Sequence, residues 1–289
     1  MEGDDIQAAV REETHLGGAG RGQWHAEYLG SSYRFAVEMA LATVERRPLA
    51  VLKTDLWNEV LGGTRDIAGH FREEHGCRFF GIDLVHEVCV LAHSRVPTVH
   101  VVQADIRALP FRAGSFDAVL DLSTLDHVPE AGAVHAIGEY RRVLRDRGVL
   151  LVIFWQRNFL MKLRLFLKRL LGRREKPDQQ YFARAAVRAG CKDGFVVIKE
   201  FVTGSLLAPP YPVTSFLLRM VPAGALTRFV RSLVDLEYSD ALRPVLKHLA
   251  GLYGIAALRR EDVRDGKPDA VWVQAYPRPS PDASGSGVT

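Results

Sequence analysis

Five short apolar runs, Leu49 to Leu52, Cys77 to Ile82, Val99 to Gln103, Phe116 to Leu122 and Val149 to Phe154, alternate with stretches of helical periodicity, and this rhythm constrains the fold more than any other feature. Strands that are apolar throughout are covered on both faces, which means a parallel sheet with crossover helices. The intervening segments agree: Val85 to His93 and Ala131 to Leu144 place Val, Leu, Ile and Ala at helical spacing, and Gly148 reads as the stop of the second. Two later runs, Gly194 to Val202 and Ala270 to Tyr276, complete an expected sheet of about seven strands, with the helical region Thr214 to Leu249 inserted between them.

This reading divides the chain into a flexible N-terminus over 1–22, a core with an N-terminal lid helix over 23–157, and a helical lid or insert over 158–250 that carries a core strand near 194–202. The C-terminal end of the sheet follows over 251–276, then a disordered tail over 277–289 rich in Gly, Ser and Pro. A chain of 289 residues with 47% hydrophobic and 25% charged residues is neither disordered, collagen-like nor membrane-spanning in composition. Three cysteines, Cys77, Cys89 and Cys191, without close pairing point to reduced thiols in a cytoplasm and to no structural metal. The charged, then glycine-rich opening has no apolar segment behind a basic start, so no secretory signal is expected.

In a doubly wound sheet, ligands bind beyond the carboxyl ends of the strands, where the strand order reverses. The second run ends Phe80-Gly81-Ile82-Asp83, and a carboxylate there can accept both hydroxyl hydrogen bonds of a ribose. The third ends Gln103-Ala104-Asp105-Ile106, offering Asp105 to an adenine amino group with Ile106 as apolar cover. The fourth block runs Leu109-Pro110-Phe111, then Ser115-Phe116-Asp117 into the strand, then Asp121-Leu122-Ser123-Thr124-Leu125-Asp126-His127-Val128-Pro129.

In order and spacing these residues resemble the class I S-adenosylmethionine-dependent methyltransferases, from about Val51 to Phe154, the long LPF to DHVP block being the most specific part. The resemblance implies a Rossmann-like α/β fold: a doubly wound, mostly parallel seven-stranded sheet with helices on both faces and an inserted helical substrate lid. It implies S-adenosylmethionine as cofactor and S-adenosylhomocysteine as product, bound by Asp55, Leu56, Trp57, Asp83, Leu84, Asp105, Ile106, Asp121, Leu122 and Ser123. Strand-end aspartates also cap helices, and for any one of them alone that reading competes evenly.

The first motif departs from the pattern. Where such enzymes carry an acidic residue and a GxGxG turn, this chain has Lys53 in place of the acid, with Asp55, Trp57 and Glu59 in place of the glycines. The expected rescue is a wider loop, in which Asp55 takes the methionine ammonium and backbone N–H groups near Trp57 to Glu59 take its carboxylate.

His127, in the loop that the resemblance places beside the donor methyl, is the catalytic candidate, because imidazole can accept a proton near neutral pH. It can instead orient cofactor or hold Asp126, and a reactive acceptor needs only in-line alignment. Upstream, Tyr28, Tyr33 and Arg34 are candidate pocket residues, although aromatic residues at a helix start also serve as packing anchors.

The net charge of +4 is concentrated: Asn158 to Lys176 holds seven Lys/Arg against Glu175 alone. On a helical wheel Phe159, Leu160, Leu163, Phe166, Leu167, Leu170 and Leu171 share one broad arc, with Lys162, Arg169, Arg173 and Lys176 outside it. This amphipathic helix fits a lid packed on the core first, and peripheral contact with an anionic membrane from the cytoplasmic side as the other reading. With Leu206 to Pro212 it would enclose a small-molecule or lipid-like acceptor. No nucleic-acid partner is expected, since no Asn/Asp-Pro-Pro-Tyr motif follows the fourth strand and the rest of the chain is not basic. The absence of G-x-G-x-x-G argues against a nicotinamide enzyme. A non-catalytic binding protein that has lost its glycine loop is the other reading.

Overall fold

The computed structural model describes residues 23–45, 47–62, 66–170, 180–192, 194–203, 232, 234–239, 241–249 and 251–260. In chain order these form α1 (Gln23–Ala42), β1 (Ala50–Lys53), α2 (Trp57–Leu61), α3 (Ile67–His75), β2 (Arg78–Asp83), α4 (His86–Arg95), β3 (Val99–Gln103) and β4 (Phe116–Leu122). A 3₁₀ turn (Leu125–His127) leads to α5 (Glu130–Val143), β5 (Leu144–Trp155), α6 (Phe159–Leu170), α7 (Arg184–Cys191), β6 (Phe195–Thr203), α8 (Arg243–Leu249) and β7 (Leu252–Arg259).

The seven strands form one sheet in the order β3-β2-β1-β4-β5-β7-β6. β1 to β5 are mutually parallel, while β7 runs antiparallel between β5 and β6. After β3 the chain crosses to the far side of β1, so the order reverses between β1 and β4. The apolar runs fill both faces by simple alternation: Val51, Leu120 and Leu151 point into one core, and Leu52, Val119 and Leu150 into the other. The first core is closed by Ala36 and Val37 of α1, Ile67 and Phe71 of α3 and Val88 and Ala92 of α4. The second is closed by Ala133, Ile137 and Tyr140 of α5 and Val187 and Cys191 of α7.

The LPF to SFD block owes its composition to anchoring. Arg142 of α5 donates to Phe111 O at 2.7 Å and Leu109 O at 2.8 Å, and Glu139 accepts from Leu109 N at 2.8 Å. Phe111 and Phe116 pack edge to face, and Asp117 accepts from Ala50 N and from Arg145.

The seventh strand of the described sheet, Leu252–Arg259, was not among the expected runs; the expected strand Ala270 to Tyr276 lies outside the described residues, as does most of Thr214 to Leu249. Leu252–Arg259 carries Gly254, Ala256 and Ala257, residues of weak strand propensity, and Gly254 is there because the Phe201 ring occupies the space its side chain would fill. Gly148 is not the expected helix stop: α5 ends at Val143, Leu144 already pairs with Phe116, and the left-handed residue is Arg147 at φ 59°. Gly148 lies within β5, where a Cβ would approach Arg145 O to 2.8 Å.

Candidate active site at the sheet reversal

β1 and β4 end side by side at the reversal, and their tips are stitched together. Thr54 N donates to Leu120 O at 3.1 Å, and Thr54 Oγ1 bonds Thr124 Oγ1 at 2.7 Å. The chain leaves β1 by a turn of three residues, Thr54, Asp55 and Leu56, before α2 begins at Trp57. The wider loop expected in place of the glycine turn is therefore not what forms. What replaces the glycines is a buried ion-pair cluster: Lys53 Nζ lies 2.9 Å from both Asp55 Oδ2 and Glu59 Oε2, and bonds Asp55 O at 2.6 Å. Burial alone would favour a neutral Lys53, but Asp55 and Glu59 outweigh it and hold the ammonium charged, well above its ordinary range. Glu59 is pushed up to about 7, chiefly by burial and against the pull of Lys53.

The missing side chain of glycine is still used, but on the neighbouring strand. A Cβ on Gly81 of β2 would meet Leu56 Cδ2 at 2.3 Å, so the fully buried Leu56 passes over β2 through the space that Gly81 leaves. Trp57 packs, partly buried, against the first core.

Asp83 closes β2 beside this turn. Its Oδ2 accepts from Leu56 N at 3.1 Å and its Oδ1 from Val85 N at 2.9 Å, leaving a further acceptor site on each oxygen. Burial raises its pKa, and the two backbone donors and Lys53 oppose that rise. Leu84 beside it is exposed. At the next strand end Asp105 is clasped by Arg107, whose Nε donates to Oδ1 at 2.9 Å and to Oδ2 at 3.0 Å, which lowers its pKa, and Ile106 is buried in the second core.

Beyond β4 the side chains turn inward. Asp121, expected at the cofactor, is fully buried, its oxygens taken by Tyr140 OH at 2.7 Å, Thr124 N at 2.9 Å and Leu125 N at 3.1 Å. These bonds shape the loop, and burial pushes its pKa up to about 6. Leu122 is core. Ser123 adopts φ 74°, a strained left-handed conformation for a residue with a side chain, and bonds Asp126 Oδ2. Asp126 also accepts from Trp155 N at 2.9 Å, which ties the loop to the end of β5, and burial pushes its pKa up to about 8. His127 follows, exposed, at the end of the 3₁₀ turn. Of the upstream candidates, Tyr28 and Tyr33 are buried in the first core, and Arg34 is half-buried.

Sequence reasoning thus missed Lys53, Glu59, Tyr140 and Asp126 as parts of the site's frame. The legible signal was Lys53 itself: a lysine ending a strand of otherwise buried apolar residues needs carboxylates, and Asp55 and Glu59 are the nearest in sequence.

Residues 59–152 match the family described as a methyltransferase domain. An uncharacterized protein of Haemophilus influenzae is 33% identical over 85 residues, 27% of this chain and 34% of that protein, so the match spans about a third of the relative's length. Among solved structures, a protein assigned as a sarcosine dimethylglycine methyltransferase from Galdieria sulphuraria superposes with a TM-score of 0.55 at 12% identity, covering 81% of this chain and 86% of that one. The geranyl diphosphate C-methyltransferase of Streptomyces coelicolor A3(2), solved with Mg²⁺, geranyl diphosphate and S-adenosylhomocysteine, gives 0.50 at 14% identity over 77% and 78%. The match to a methyltransferase domain thus covers residues 59–152, and the seven-stranded sheet in which they lie has the Rossmann-like α/β fold that these solved structures share.

Proposed function

We propose that the protein transfers a methyl group from S-adenosylmethionine to a small-molecule or lipid-like acceptor. The observation that carries this reading is Asp83: an acceptor-only carboxylate at the tip of β2, beside the β1 to β4 reversal, with a lone pair free on each oxygen for a ribose diol. Asp55 is the residue for the methionine ammonium, because it is the more exposed of the two carboxylates on Lys53. The bound cofactor supplies an electrophilic methyl on a sulfonium, which an aligned acceptor takes by in-line displacement. This chain's residues bind and orient: Thr54 and Thr124 fix the two strand tips, Asp126 fixes the loop after β4, and His127 stands at that loop's surface to accept a proton where the acceptor carries one. The region 158–250 would form the lid over the acceptor.

The match to the methyltransferase domain and the intact carboxylate at position 83 favour this over a non-catalytic binding protein. A thermal-shift titration with S-adenosylhomocysteine separates the two. A ligand held only by the native state at a hundred times its Kd adds about 2.7 kcal/mol, a rise of several degrees. No shift at saturating concentrations would favour the binding protein without cofactor.

A further inference from the structure

Helix α6 turns large apolar side chains away from the body of the protein. Asn158 caps it, Oδ1 accepting from Met161 N at 2.8 Å. Met161 is buried and Leu165 half-buried, so their side of the helix faces inward. At about 100° per residue, positions 159, 163, 166 and 170 fall within about 60° of one another on the opposite side. They are Phe159, Leu163, Phe166 and Leu170, exposed to 79%, 41%, 59% and 73%. These four members of the apolar arc seen in the sequence therefore face outward. α8 packs against α6 and adds the exposed Val245.

Charge decides what such a stripe fits. The segment from Asn158 to Lys176 carries seven Lys/Arg against Glu175, and the exposed Lys162 sits on α6 itself. A second copy docked on the same face would oppose two such basic segments, which Coulomb repulsion disfavours. An anionic lipid surface satisfies both halves: Phe and Leu enter the acyl boundary while Lys and Arg neutralise headgroups. We propose that α6, with the adjoining α8, seats the protein on an anionic membrane surface, the helix lying in its plane. Among the described residues no helix is long and apolar enough to cross a membrane. The seat uses the outward side of α6, and its test reads membrane binding rather than methyl transfer.

Co-sedimentation of the full chain with vesicles tests it. At low salt the protein is expected to pellet with phosphatidylcholine vesicles containing phosphatidylglycerol and to stay in solution with pure phosphatidylcholine. The double variant Phe166→Asp/Leu170→Asp, whose exposed positions should leave the thermal midpoint unchanged, should lose at least about tenfold in apparent affinity. Lys162→Glu should weaken binding by about fivefold, and added salt should weaken it for every variant. Three results would each overturn the proposal: no pelleting of the wild type with anionic vesicles, pelleting of the double variant at wild-type affinity, or a wild-type dimer by light scattering that the double variant converts to monomer.

Discussion

Lys53→Met should destabilise the fold by about 3–5 kcal/mol near pH 8, because it leaves Glu59 buried without its cation. Methionine keeps most of the volume and the apolar stem, so the loss reports charge rather than a cavity. Lys53 also bonds Asp55 O, so part of the effect is a looser turn between β1 and α2. The penalty should shrink toward pH 5, where a neutral Glu59 no longer requires a partner. Replacing the pair together, Lys53→Met/Glu59→Leu, should recover most of the stability, since a packed apolar pair matches or exceeds a buried ion pair. Urea midpoints of the wild type and both variants at the two pH values check this. A single variant within about 1 kcal/mol of wild type at pH 8 would mean that the cluster does not hold the first motif together.

The second large effect is on pH. Glu59, Asp121 and Asp126 are pushed up by burial to about 7, 6 and 8. Ordinary carboxyls titrate near 4, so between pH 4 and each raised value the folded chain binds more protons than the unfolded one, and stability falls as pH rises. Each such group contributes a slope of about 1.4 kcal/mol per pH unit inside its window, relaxed in practice by local opening and water. Stability should therefore be higher near pH 5 than at pH 8 by roughly 2–4 kcal/mol. Asp126→Asn is the control: the amide keeps an acceptor for Trp155 N and a donor toward Ser123, as the protonated carboxyl does, but cannot ionise. The variant should match wild type near pH 5 and flatten the slope between pH 6 and 8. A wild-type urea midpoint constant from pH 5 to 8 would contradict the assignment.

The sheet was legible because its strands are apolar on both faces, as in Ala50–Lys53 and Phe116–Leu122, and only parallel strands between two helical layers need that. Leu252–Arg259 was missed as a strand because its composition answers to Phe201 on the neighbouring β6, a contact distant in sequence that no local pattern reveals. That Asp83 closes β2 was legible from the strand pattern, but the inward turn of Asp121 was not. A carboxylate after a buried strand looks the same in sequence whether it meets a ligand or, as here, the hydroxyl of Tyr140 on the following helix. Similarly, the helical wheel found the apolar arc of α6 but not that Phe159, Leu163, Phe166 and Leu170 within it face outward.

The central claim is that Asp83 holds the cofactor's ribose, and calorimetric titration of S-adenosylhomocysteine into wild type and Asp83→Ala tests it most directly. Two charge-assisted hydrogen bonds of about 1.5 kcal/mol each predict saturable binding to wild type and a loss of about 100-fold in the variant. Wild-type affinity should also strengthen as pH rises, because burial raises the Asp83 pKa and the ionised carboxylate is the form that accepts. Absence of binding to wild type, or equal affinity in a folded Asp83→Ala, would contradict the account.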